Sequence, residues 1–230
     1  MQYVVDLSYL CLLICSTVYT RMTNLVDVHI LHLPNENQDW WKLCEESLRG
    51  HPINVHNLGG IVGNTRAARR RGYEQGSAPY VTFVDPDDIV LPGAYQACID
   101  ILEADPSLGG AHTNSQKIDE DGNVIEEMII PDRPWDIDKM IRCPMPVHQV
   151  AVVRRSVMEQ AFELVKVPQK NTCVDYILYA SVAAIAPWYY IPIHGYQWRI
   201  HDDGYHHIYD RKKVSEARKL IRKLLADQKS

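Results

Sequence analysis

Residues 81–92 read Val-Thr-Phe-Val-Asp-Pro-Asp-Asp-Ile-Val-Leu-Pro, so an apolar, strand-like run leads directly into Asp85, Asp87 and Asp88. Burying a carboxylate without a partner is costly. Three of them at the end of a buried strand therefore point to a bound cation, most plausibly a hard one such as Mg2+ or Mn2+. Such an ion could in turn hold a diphosphate. Just upstream lie Arg66, Arg69, Arg70 and Arg71, each a forked donor suited to phosphate. At helical spacing Arg66 shares a face with Arg69 or Arg70, while Arg71 points elsewhere. Three readings stand: a diphosphate contact or brace for the aspartates, a solvated basic face, or a nucleic-acid contact. No nucleic-acid recognition module accompanies the arginines.

The surrounding pattern gives these residues a frame. Residues 26–33 have strand character and stop at Pro34-Asn35-Glu36-Asn37. A helix is expected over 39–48, with Asp39 as its N-cap and Gly50 as its stop. A second strand over 52–58, a helix over 64–75, a third strand over 80–84 and a helix over 92–104 follow. Alternation of this kind predicts a mostly parallel sheet with helices on both faces. Ligands of such sheets sit beyond the carboxyl ends of the strands. Pro34-Asn35-Glu36 and the aspartate cluster both lie at such ends.

The second half is less regular. Strands over 111–118 and 124–130 flank a hairpin turn at 119–123. A Pro- and Asp-rich loop with a short helix is expected over 131–146, then a strand over 148–153 and a helix over 173–185. Two strands over 189–193 and 196–200 are expected around a His194-Gly195 turn. Residues 214–226 place Val214, Ala217, Leu220, Ile221, Leu224 and Leu225 on one helical face. The division that results is an extension over 1–21, a nucleotide-binding half over 22–110, an acceptor half over 111–213 and a helix over 214–230.

Composition sets outer bounds. A chain of 230 residues with net charge −5 suits one α/β domain and carries no global basic field for nucleic acid. Six scattered cysteines without a C-x-x-C pair argue against a zinc cluster or disulfide framework and for a cytoplasmic protein. The apolar stretch at 7–19 is shorter than a spanning helix requires, and no Lys or Arg precedes it. It could be an added element, a weak anchor, or sequence upstream of a start at Met22.

The run from Gly63 to Gly93 resembles the central region of family 2-type GT-A glycosyltransferases. That region pairs an Ala-Arg-Asn-x-Gly helix with a strand ending in Asp-x-Asp-Asp. Here the pair reads Ala68-Arg69-Arg70-Arg71-Gly72 and Asp85-Pro86-Asp87-Asp88, with Arg70 where Asn is usual. The resemblance runs from about 26 to 102 and is patchy beyond. It implies a GT-A fold and transfer of a sugar from a nucleoside diphosphate donor, UDP- or GDP-linked, to a hydroxyl acceptor, with inversion. Donor contacts would come from Pro34, Asn35, Glu36, Asn64, Arg66, Arg69 and Asp85. The metal, Mn2+ or Mg2+, would be held by Asp85, Asp87 and His201. His201 closes Tyr196-Gln-Trp-Arg-Ile-His, which is similar to the family's Tyr-x-x-His element. An imidazole ligand favours Mn2+.

In relatives the base lies in an acidic motif at a helix start. Cys173-Val174-Asp175-Tyr176 is the match here, with Val174 where an acid is common, and Asp175 is the candidate base. A carboxylate favouring the helix dipole is the other reading of Asp175. Asp88 is expected to cap the turn that follows it. Trp135 is expected near the acceptor, and His148 either faces the acceptor or is a buried imidazole. His206 and His207 rank below His201. The acceptor could be a glycan, a lipid-linked group or a hydroxymethylated DNA base, and no spanning segment is expected. The rival readings are a nucleotidyltransferase and a non-catalytic nucleotide-binding protein with a degenerate transferase fold.

Overall fold

The computed structural model describes residues 24–128, 136–142, 146–164, 173–202 and 211–227. The 1–21 extension, Trp135, His206 and His207 lie outside the described residues. The first half is the expected alternation: β1 (Val26–His32), α1 (Gln38–Ser47), β2 (Ile53–Gly59), α2 (Thr65–Tyr73) and β3 (Tyr80–Val84). A two-residue strand β4 (Ile89–Val90) and α3 (Ala94–Ala104) follow. The second half comprises β5 (Gly110–Ile118), β6 (Val124–Met128), α4 (Asp138–Arg142), β7 (Ala151–Arg154), α5 (Arg155–Leu164), α6 (Val174–Ile185), β8 (Trp188–Arg199) and α7 (Arg211–Asp227).

One mixed sheet runs in the order β2-β1-β3-β7-β5-β8-β4, with β6 on β5. β2, β1 and β3 are parallel, as are β5 and β8, while β7 joins the two groups antiparallel to both. The α/β architecture is the expected one, with more antiparallel pairing than the alternation implied. Both halves share the sheet, so residue 110 marks the start of β5 and no break in pairing.

β3 is buried along its whole length because helices cover both sides. Tyr80 and Val84 join Val26, Val28 and Ile30 against α1 and α3, while Val81 and Phe83 face α5 and α6. The parallel register sets Ile30 opposite Val84 and His32 opposite Gly59. The chain therefore leaves β1, β2 and β3 at one end of the sheet, and the polar turns collect there.

The opposite end is closed by Asp27, which is 4% exposed. Its Oδ1 accepts from Asn54 and His56, each at 2.9 Å, and its Oδ2 from the Ala78 N–H at 2.8 Å and from Arg155. Arg155 also donates to the carbonyls of Tyr73, Gln75 and Ala78, fastening the start of α5 to the turn before β3. Burial pushes the Asp27 pKa up, but the bonds from His56, Asn54 and Ala78 outweigh it and leave it lowered. A lowered folded-state value means stability that is present above the ordinary carboxylate range and lost as pH falls through the folded value. Urea melts between pH 6 and pH 2.5 should therefore show acid destabilisation in the parent protein, and a shallower slope in Asp27→Asn.

Three expectations need correction. The cap of α1 is Asn37, whose side chain accepts from the Asp39 and Trp40 N–H groups, and Asp39 instead lies in the first turn. β8 is one twelve-residue strand with a register shift where a turn at 194–195 was expected. Gly195 sits inside that strand because a Cβ there would collide with the Thr113 side chain. β7 begins at Ala151, after His148. α5 has no counterpart in the sequence reading, although Val157, Met158, Ala161 and Phe162 are buried at helical spacing.

Candidate active site

The acidic turn after β3 is built from several directions. The Asp88 N–H donates to the Asp85 carbonyl at 3.2 Å, closing the turn. Below it, the Cys44 thiol of α1 donates to the same carbonyl at 3.5 Å. The Tyr196 hydroxyl of β8 lies 3.3 Å from the Asp85 N–H. The three carboxylates then diverge in role.

Asp88 is 2% exposed. It accepts from the Tyr196 hydroxyl at 2.7 Å and from the Arg199 N–H at 2.8 Å. It does not cap the following turn; it ties that turn to β8. Burial, then the Asp87 and Asp85 charges, hold its pKa well above the ordinary value. Asp88→Ala would leave two buried donors unpaired, a loss of about 2–4 kcal/mol. The melting midpoint should fall by roughly 5–12 °C. Asp88→Asn should lose less than half of that, because its carbonyl can still accept from Arg199.

Asp85 and Asp87 are the accessible pair, with side chains 45% and 33% exposed. Asp87 Oδ2 lies 2.9 Å from His201 Nε2. Burial and the Asp85 charge raise the Asp87 pKa, and His201 only partly offsets them. The His201 ring leans on Trp40 at 4.8 Å, and Trp40 donates its indole N–H to the Glu120 carbonyl at 3.2 Å.

Asp85 Oδ1 accepts from Arg69 Nη2 at 2.8 Å. Arg69 is 4% exposed, and its guanidinium lies over the Phe83 ring at 3.3 Å. On its other side, Arg69 Nε stands 3.4 Å from Asp175 Oδ1. Asp175 comes from the first turn of α6 and is 30% exposed. Burial raises the Asp175 pKa, Arg69 opposes that, and Asp85 adds to it. Arg69 thus links the end of β3 in the first half to the start of α6 in the second. Two of the other arginines are spent on their own surroundings: Arg70 pairs with Glu74 and Glu163, and Arg71 donates to the Gly59 carbonyl.

The other expected donor residues occupy the same end of the sheet. Pro34 and Asn35 are exposed in the turn after β1. Glu36 holds His32 Nδ1 at 2.9 Å, while His32 Nε2 meets Asn57 Oδ1 at 3.0 Å. Asn64 is the N-cap of α2, accepting from the Ala67 N–H at 3.2 Å. Arg66 is half-buried on the first turn of α2, its pKa lowered by burial and by Arg70. His148 packs against Trp198 and Tyr196, and burial lowers its pKa to about 4, so the ring is a neutral, largely buried imidazole.

Sequence reasoning passed over Arg199, and it offered Trp40 only as one of five tryptophans (with Trp41, Trp135, Trp188 and Trp198) able to stack on a sugar or base. Arg199, 1% exposed, donates to the carbonyls of Asp87, Asp119 and Glu120, each at 2.9 Å, and stacks on Trp40 at 5.2 Å. It fixes the acidic turn against the β5–β6 hairpin. The signal was available: Arg199 and His201 are two apart, the spacing of one strand face.

Two carboxylates and an imidazole are suitable ligand types for Mn2+ or Mg2+. Burial first, and then the neighbouring aspartate charges, raise the Asp87 and Asp88 pKa values, and a divalent ion would relieve the second of these. Among the described residues no group of three or more such side chains is already gathered around a single point. Asp85 is turned to Arg69 and Asp87 to His201.

This mixed α/β sheet flanked by helices, with an acidic turn after the third strand, is a GT-A-type fold similar to that of S. aureus TarS. The chain superposes on S. aureus TarS 1–349 with a TM-score of 0.63 at 10% identity, covering 88% of this chain and 68% of that one. The same TarS fragment in complex with UDP-GlcNAc gives a TM-score of 0.61 at 11% identity, covering 88% and 69%. Among curated proteins, Escherichia coli chondroitin synthase is 25% identical over 162 residues. That match takes in 66% of this chain and 22% of the synthase, so the chain spans about a fifth of its curated relative. No protein-family model matches the chain.

Proposed function

We propose that this chain is a metal-dependent, inverting glycosyltransferase that moves a sugar from a UDP-linked donor to an acceptor hydroxyl. The observation that supports the reading is the Arg69 bridge, which joins Asp85 at the end of β3 to Asp175 in the first turn of α6. The name of the chondroitin synthase relative and the UDP-GlcNAc and UDP complexes of TarS agree with it.

Pro34, Asn35 and Glu36 would flank the nucleoside at the end of β1, and Arg66 would face the phosphates from α2. Asp85, Asp87 and His201 would hold the ion, which would act as a Lewis acid on the diphosphate. Asp175 would take the proton of the acceptor hydroxyl. The acceptor oxygen bonds the anomeric carbon as the bond from that carbon to the diphosphate oxygen breaks, and UDP leaves. Arg69 braces the two aspartates and is not itself the diphosphate contact, because it is 4% exposed and sits over the Phe83 ring.

For the acceptor, a glycan or lipid-linked hydroxyl is preferred over a DNA base. Arg70 and Arg71, the residues that would have to reach a nucleic acid, are engaged within the fold. No helix among the described residues is long and apolar enough to cross a membrane. The free thiols of Cys44, Cys98 and Cys173 accord with a cytoplasmic setting.

A screen of nucleotide sugars for Mn2+-dependent release of the nucleotide tests the proposal. Turnover of at least one UDP-sugar is expected. Tight UDP binding with no turnover of any donor, with or without acceptors, would replace the transferase by a nucleotide-binding protein.

A further inference from the structure

We propose that Arg69 is a positioning residue that makes donor binding and orientation of the base one coupled event. The inference rests on the transferase reading above and adds a link between its two aspartates. The guanidinium is held unequally. Nη2 makes a full hydrogen bond to Asp85 at 2.8 Å, whereas Nε faces Asp175 at 3.4 Å, beyond good hydrogen-bond length. Nε, Nη1 and Asp175 Oδ1 are all buried without a hydrogen bond among the described residues. A guanidinium buried in this way has a strong reason to move toward any acceptor it can reach.

Its freedom to move is restricted to one direction. The guanidinium carbon sits 3.3 Å from the Phe83 ring centroid and the residue is 4% exposed, so its movement is confined to the space between the two carboxylates and away from solvent. Asp85 is the more exposed of the two, with a 45% exposed side chain. With a cation and diphosphate bound there, Asp85 would hold Arg69 less strongly. The fork then shifts to Asp175, completes the bond at Oδ1 and leaves Oδ2 to meet the acceptor. By linkage, whatever holds Arg69 at Asp175 also favours the donor.

The test is a pair of UDP titrations in Mn2+ by calorimetry. Asp175→Asn weakens the hold on Arg69 from the acceptor side, so Arg69 stays with Asp85 and UDP binding weakens by about fivefold. In an Arg69→Lys background, where one ammonium cannot bridge two carboxylates, the same substitution should change affinity by less than about twofold. An equal change in both backgrounds would overturn the inference. If Arg69→Lys does not fold, the unaltered protein suffices. Its crystal structure with Mn2+ and UDP should show Arg69 Nε within hydrogen-bond distance of Asp175 and Nη2 drawn off Asp85. Nucleotide seated on the aspartates with both Arg69 distances unchanged sinks the coupling and leaves the donor site standing. A crevice that takes up no nucleotide removes the donor site itself.

Discussion

Asp175→Asn is expected to lower kcat for sugar transfer by about a thousandfold, the middle of the range for a positioned general base. UDP affinity should fall by no more than about tenfold, the limit set by coupling through Arg69. The amide keeps the size of the carboxylate and its place beside Arg69, but it cannot accept a proton from an acceptor hydroxyl. The pH profile supplies an independent check. Burial raises the Asp175 pKa, with Arg69 opposing. The base works only when ionised, so activity should rise with pH through a value above the ordinary carboxylate one. That limb should vanish from the residual activity of Asp175→Asn. A loss below tenfold, or an unchanged acid limb, would return Asp175 to the role of a helix-terminal charge.

Asp87→Ala is expected to abolish Mn2+-dependent turnover. UDP affinity in the presence of Mn2+ should fall by about two orders of magnitude, as befits the loss of an interaction worth several kcal/mol. Stability should move the other way. The folded-state pKa of Asp87 is raised by burial and by Asp85, so its ionised form is disfavoured in the fold at neutral pH. Removing the carboxylate relieves that cost, and the melting midpoint at pH 7 should hold or rise despite the lost contact to His201. A residue that costs stability where it sits is the pattern of a functional group. Loss of activity with a matching fall in melting temperature would indicate a structural carboxylate instead.

Most of the first half was legible because its signals are local. β3 was readable from an apolar run ending in charge, and α2 from its arginine spacing and the turn at Gly76. Those elements fix Asp85 and Arg69 without help from the rest. The second half depends on long-range partners. β8 looked like two strands because Gly195 reads as a turn residue, whereas the glycine is required by Thr113 on the neighbouring strand. α5 escaped notice because its charged and polar residues mask four buried apolar positions.

The site divided along the same line. Motif resemblance selected Asp85, Asp87, Asp175 and His201, and Asp88 reads from the sequence as a turn cap, yet nothing local could show that Asp88 instead ties the turn to Tyr196 and Arg199 of β8. Nor could resemblance assign Arg69 to both aspartates, because the 3.4 Å approach to Asp175 joins residues 106 positions apart in the chain. Arg199 and Trp40 act through carbonyls and ring faces, and no motif records those contacts.

Binding of a nucleoside diphosphate to the acidic turn through a divalent ion is the property from which the proposed activity follows. Calorimetric titration of UDP into the protein, with Mn2+ and with chelator, tests this directly. Saturable binding that requires Mn2+ and disappears in Asp87→Ala is the predicted result. Binding of equal strength in chelator, or in Asp87→Ala, would contradict it.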